Sequence, residues 1–93
     1  MDHEAMDEEQ LKKLVNEVFE ESFETNTEHL KADAMIFEDI GLDSLDIVDL
    51  VVALQKKFKV QIRDDERIRN IRTLGDIYQF VINLKDEGHI PEA

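Results

Sequence analysis

Residues 44–58 read SLDIVDLVVALQKKF and form the most regular segment of the chain. Ile47, Leu50, Val51, Leu54 and Phe58 recur at i, i+3, i+4, i+7 and i+11, the spacing of residues that share one face of an α-helix. A second apolar row, Leu45, Val48 and Val52, lies off that face, with Asp46 and Asp49 beside it. One core-facing stripe suffices for a small helical domain. The second therefore predicts an outward surface that pairs aliphatic side chains with carboxylates. Ser44 opens the segment and reads as its N-cap, a hydroxyl accepting a bond from a first-turn N–H.

Upstream, Asp7 followed three residues later by Gln10 reads as a capping-box variant, with Glu8 and Glu9 suited to the positive end of a helix dipole. Leu11, Leu14, Val15, Val18, Phe19 and Phe23 follow at helical spacing and predict a first helix over about 7–24. No period is sustained from 25 to 43. Leu30, Met35, Ile36, Phe37, Ile40 and Leu42 are nevertheless too apolar for a free linker, so this long connection should be docked by its own side chains, with a short turn near 27–31. Downstream, 64–70 predicts a short helix capped by Asp64 or Asp65, with Ile68 pointing inward. Thr73 with Asp76 opens a last helix carrying Leu74, Ile77, Tyr78, Val81 and Leu84, which Lys85 and Gly88 close. The expected fold is an all-α four-helix bundle, with three long helices, one short helix and a long ordered loop after helix 1. It forms a single domain over 1–93 with a core of about 7–87 and flexible ends at 1–6 and 88–93.

At 93 residues the chain has room for one core of modest stability. Its formal net charge of −12 is unevenly placed: residues 1–28 carry ten acids and two bases, 29–54 six and one, 55–93 seven and eight. Such a field repels nucleic acid and anionic lipid and favours encounter with proteins that present Lys/Arg patches. With no cysteine, the chain has no thiolate nucleophile or disulfide of its own, which is compatible with a reducing compartment. MDHEAMDEEQ has neither the basic nor the apolar region of a signal sequence, and no apolar run is long enough for a membrane span. A monomeric, cytoplasmic protein is expected.

Self-contained catalysis is disfavoured. The G-x-S-x-G elbow is absent, and the histidines are His3, His29 and His89, of which only the loop residue His29 could approach Ser44 as a base. No D-x-[DN]-x-[DN]-G run exists among the acids, so no metal is expected.

The stretch Glu38-Asp39-Ile40-Gly41-Leu42-Asp43-Ser44-Leu45-Asp46 resembles the E-D-L-G-x-D-S-L-D signature of acyl carrier proteins, and Val48 through Leu54 with Phe58 continues that family's second helix. The likeness spans about 7–87, with 38–58 its distinctive part. The resemblance implies that a phosphopantetheinyl transferase attaches a 4′-phosphopantetheine arm from coenzyme A to Ser44, supplying the thiol a cysteine-free chain lacks. It assigns Gly41 to a tight turn before the helix and implies that Asp43 helps orient the transferase's magnesium-bound reactants. Leu45, Asp46, Val48, Asp49, Val52 and Lys56 are then the docking residues for acyl-transferring and condensing enzymes with basic patches. Phe37, Ile47, Val51, Ile62, Ile68 and Ile71 become candidates to line a pocket for the acyl cargo, each equally readable as plain core. A phosphate at a helix N-terminus also suits the dipole.

One departure stands out. Where familiar fatty-acid carriers end helix 2 in an acidic run, this chain has Gln55-Lys56-Lys57-Phe58-Lys59, followed by Arg63, Arg67, Arg69 and Arg72. Either these bases pair internally, with Asp64, Asp65, Glu66 or the acidic first helix, or they mark a specialised carrier with dedicated enzymes. A peptidyl or aminoacyl carrier, and a plain acidic interaction module with Ser44 only a cap, are the alternative readings.

Overall fold

A computed structural model describes residues 8–62 and 66–88. It is all-α: α1 (Glu8–Phe23), α2 (Ser44–Phe58), a single-turn α3 (Glu66–Arg69) and α4 (Leu74–Asp86). The proposed caps Asp7, Asp64 and Asp65 lie outside the described residues, as do 1–6 and most of 88–93.

The apolar stripes meet as their spacing requires. α1 packs against both α2 and α4. Leu11, Val15, Val18 and Phe19 of α1, Leu50, Leu54 and Phe58 of α2, and Leu74, Ile77 and Val81 of α4 are all buried. Leu14 and Ile68 lie partly buried against this core. Polar ties join the helices at its edges. The Tyr78 hydroxyl donates to Asn16 Oδ1 at 2.6 Å, linking α4 to α1. Burial raises the Tyr78 pKa, and the Asn16 bond pulls it the other way.

The connection from 24 to 43 is ordered by its own structure and by backbone docking. A 3-10 turn (Thr27–His29), capped by the Asn26 side chain, is followed by a π-helical turn (Ile36–Ile40). Ile36 N donates to Arg72 O, Leu74 N to Ala34 O and Gly75 N to Ala32 O, each at 2.8–2.9 Å, so the loop lies against the entrance of α4. Gly75 is required by this approach: a Cβ there would sit 2.9 Å from the Ala32 carbonyl oxygen.

α4 starts with the capping box the sequence predicts. Thr73 Oγ1 accepts from Asp76 N at 3.1 Å, and Asp76 Oδ2 accepts from Thr73 N at 3.0 Å and Arg72 N at 2.9 Å. The bond from the Arg72 N–H leads in lowering the Asp76 pKa; partial burial opposes it, and the Thr73 bonds and the Arg72 charge reinforce it. Replacing Asp76 with Ala orphans two N–H groups and should cost about 1–2 kcal/mol. Because the folded-state pKa is depressed, this stabilisation is present above the ordinary Asp value of about 3.9 and is lost as pH falls through the lower folded value. Urea melts across acid pH should show the wild-type advantage over Asp76→Ala shrinking in that window; a constant gap would contradict the assignment.

Candidate functional site

The site is built on the junction of the π-helical turn with α2. Gly41 N and Leu42 N both donate to Ile36 O at 3.1 Å, closing the turn, and Gly41 adopts φ 92°, a conformation that side-chain-bearing residues rarely take. Asp39 Oδ2 accepts from Met35 N at 2.8 Å and fixes the other end. Leu42 is buried, anchoring the chain immediately before Asp43 and Ser44, which are both exposed.

Asp43, not Ser44, is the N-cap. Its Oδ1 accepts from Leu45 N and Asp46 N, both at 3.0 Å, while Asp46 Oδ2 accepts from Asp43 N at 3.1 Å. The expectation that Ser44 caps α2 is thereby corrected. Aspartate is at least as good a cap as serine, and Asp46 stands three residues after Asp43, at the box position. Ser44 is the first residue of α2, and no hydrogen bond from the described residues holds its hydroxyl. Leu45 N and Asp46 N already donate to Asp43, so a phosphate on Ser44 would meet the positive end of the α2 dipole without bonds from these two amides.

The second apolar row faces solvent, as its position off the core stripe predicts: Leu45 is 77% exposed, Val48 62% and Val52 40%. Asp49 and Lys56 are exposed on the same helix, and Asp46 is half-buried. From 32 to 55 the chain carries six acids and no base, so the hydroxyl sits in a negative field. His29 lies in a shallow polar depression with Glu28, Glu38 and Asp39, a lining that does not include Ser44.

A hydroxyl that is exposed and has, among the described residues, neither a hydrogen bond nor a histidine beside it is suited to modification by another enzyme, with small aliphatic knobs at hand for that enzyme to grip. Comparison with known proteins identifies the family. A family profile described as a phosphopantetheine attachment site matches residues 9–81. The acyl carrier protein of Wolinella succinogenes is 40% identical over 67 residues, covering 72% of this chain and 87% of that protein. That of Sulfurovum sp. is 41% identical over 70 residues, 75% of this chain and 92% of its own. The chain belongs to the acyl carrier protein family. It is a carrier rather than an enzyme, and its prosthetic group is 4′-phosphopantetheine.

The geometry of this carrier fits that group, because an accessible hydroxyl is presented by a fixed turn with open space around Gly41. The acyl-pocket candidates differ in burial. Ile62 and Ile71 are buried in the core, Ile47, Val51 and Ile68 are half-buried against it, and Phe37 is 40% exposed. Phe37 follows the buried Ile36 in a turn that buries only Ile36, so its ring is left at the surface.

Four of the bases in the last turn of α2 and beyond it fall into two sets. Lys57 Nζ lies 3.3 Å from both Glu17 and Glu21 of α1. Burial pulls the Lys57 pKa down, but the hydrogen bonds and charges of Glu21 and Glu17 outweigh it, and the net shift is upward. Arg67 pairs with Glu87 at 2.7 Å and stands over the Phe80 ring. Lys56 and Lys59 are exposed and make no ion pair among the described residues. The sequence also left unmarked a groove beside the outward row, lined by Val18, Phe23, Val52 and Ala53 among others.

Proposed function

We propose that Ser44 is the attachment point of the arm and that α2 presents it to partner enzymes. The observation that supports this most is the exposed Ser44 hydroxyl, which no described residue hydrogen-bonds and which adjoins the outward row Leu45, Val48 and Val52. The arm supplies a terminal thiol, on which acyl intermediates of fatty-acid, lipid or polyketide-type biosynthesis travel as thioesters. Asp43 fixes the first turn and, through the carboxylate oxygen its cap leaves over, helps orient the transferase's magnesium-bound reactants. Asp46 and Asp49 draw basic docking patches, and the aliphatic row provides the contact. The half-buried Ile47, Val51 and Ile68 shelter part of the cargo. No helix among the described residues is long and apolar enough to cross a membrane. We place the carrier, a single domain over 1–93 with a core of about 7–87, in the cytoplasm.

Incubation with coenzyme A, magnesium and a broad-specificity phosphopantetheinyl transferase should add the mass of one arm. Leu45→Arg and Val48→Glu should keep the fold yet lower the efficiency of loading by about fivefold or more, the effect of losing interface anchors. No mass gain, with a known carrier loading in parallel, would favour a plain interaction module. Unchanged loading kinetics in both variants would remove the docking row from this account.

A further inference from the structure

The paired and unpaired lysines of α2 define a docking strip that changes sign along its length. Lys57 is committed to α1 through Glu17 and Glu21. Lys56, one residue earlier, is exposed and makes no ion pair among the described residues; both lysines line the groove between the end of α1 and α2, together with Glu21, Phe23, Asp49 and Val52. Asp49, Val52 and Lys56 stand at i, i+3 and i+7, so they follow one another along one side of the helix. Lys59, at the C-cap, is exposed beyond them. Starting from Ser44, a partner therefore meets carboxylates, then an aliphatic strip beside a groove in which Val18, Phe23, Val52 and Ala53 are rimmed by charged side chains, then ammonium groups without an ion pair among the described residues. From Asp46 to Lys56 the helix rises about 15 Å. The internal pairing that would explain away the basic run absorbs Lys57 and leaves Lys56 and Lys59 available.

We infer that the groove and the basic end of α2 receive a partner enzyme whose docking surface is itself bipolar. It would carry cations facing Asp46 and Asp49, an apolar side chain for the groove, and carboxylates facing Lys56 and Lys59. A partner with a uniformly basic patch meets like charge at the far end and is disfavoured, which makes Lys56 and Lys59 specificity determinants. This inference rests on the proposed attachment at Ser44 and names the kind of enzyme that reads the loaded carrier.

The test uses arm-loaded, acylated protein and two forms of one condensing enzyme: the parent, with a docking patch basic along its length, and a variant in which the basic residues at the patch end farthest from its active site are replaced by Glu. Wild-type carrier should show the lower KM with the Glu-bearing enzyme. Lys56→Glu, and more strongly Lys56→Glu with Lys59→Glu, should reverse that preference, with KM changes of about fivefold, little change in kcat, and an effect that fades as salt is raised. KM values that ignore both charge swaps would overturn the inference. A dimer of the carrier in sedimentation that Lys56→Glu dissociates would assign the groove to a second copy and also overturn it. Failure of the wild type to load at all would defeat the attachment reading first, and is told apart because no acylated substrate would then exist to assay.

Discussion

Ser44→Ala should fold as the wild type does and accept no arm. The hydroxyl is exposed and holds no bond among the described residues, and the cap belongs to Asp43, so the substitution removes no structural interaction. Alanine is also the better helix former, by roughly 0.5 kcal/mol. The expected change in stability is within about 0.5 kcal/mol in either direction, as for surface positions generally. Loading should nevertheless fall to zero, since Ser44 carries the one side-chain hydroxyl in the sequence from 28 to 72. Thermal melts by circular dichroism and intact mass after incubation with the transferase separate the two effects. A variant that unfolds would show that Ser44 has a structural role the geometry does not provide for. Residual loading would show that another residue accepts the arm.

Phe19→Ala should have the opposite profile. Phe19 is fully buried on α1, with its ring 5.9 Å from that of Phe23, in the core that α1 forms with α2 and α4. Truncating a buried Phe typically costs about 3–5 kcal/mol, because the loss of transfer energy is joined by a cavity that collapses only partly. A chain of this length has about 5–14 kcal/mol in total. At about 4–8 °C per kcal/mol, the melting temperature should drop by at least ~12 °C. Loading should survive at temperatures where the variant remains folded. A drop of only a few degrees would mean that the helix packing is not held as described.

The contrast between these residues follows from which parts of the structure were legible in the sequence. α1, α2 and α4 were readable because each carries an apolar stripe over several turns, and the first helix expected at 7–24 is found at Glu8–Phe23. Thr73 with Asp76 marked the start of α4 for a local reason, a capping box closed within four residues. The outward row of α2 was legible as surplus apolarity. The π-helical turn at Ile36–Ile40 was not, because its placement depends on hydrogen bonds from Ile36 to Arg72 and from Leu74 to Ala34, residues distant in sequence. Gly75 was silent for the same reason: its need appears only once Ala32 lies against it. At Asp43-Ser44 two good caps stand side by side, and Asp46, three residues after Asp43, was the signal that could have decided between them. Lys56 and Lys57 are alike in sequence, and only the packing of α1 against α2 gives one a pair of glutamates and leaves the other without an ion pair among the described residues.

The most direct test of the central claim is to locate the modification. Protein loaded from coenzyme A should be cleaved and the peptides fragmented in the mass spectrometer. The added mass should lie on Ser44 alone and should be released from the peptide spanning Asp43 and Leu45. An arm found on Ser22, Thr25, Thr73 or any other hydroxyl, with Ser44 unmodified, would contradict the account.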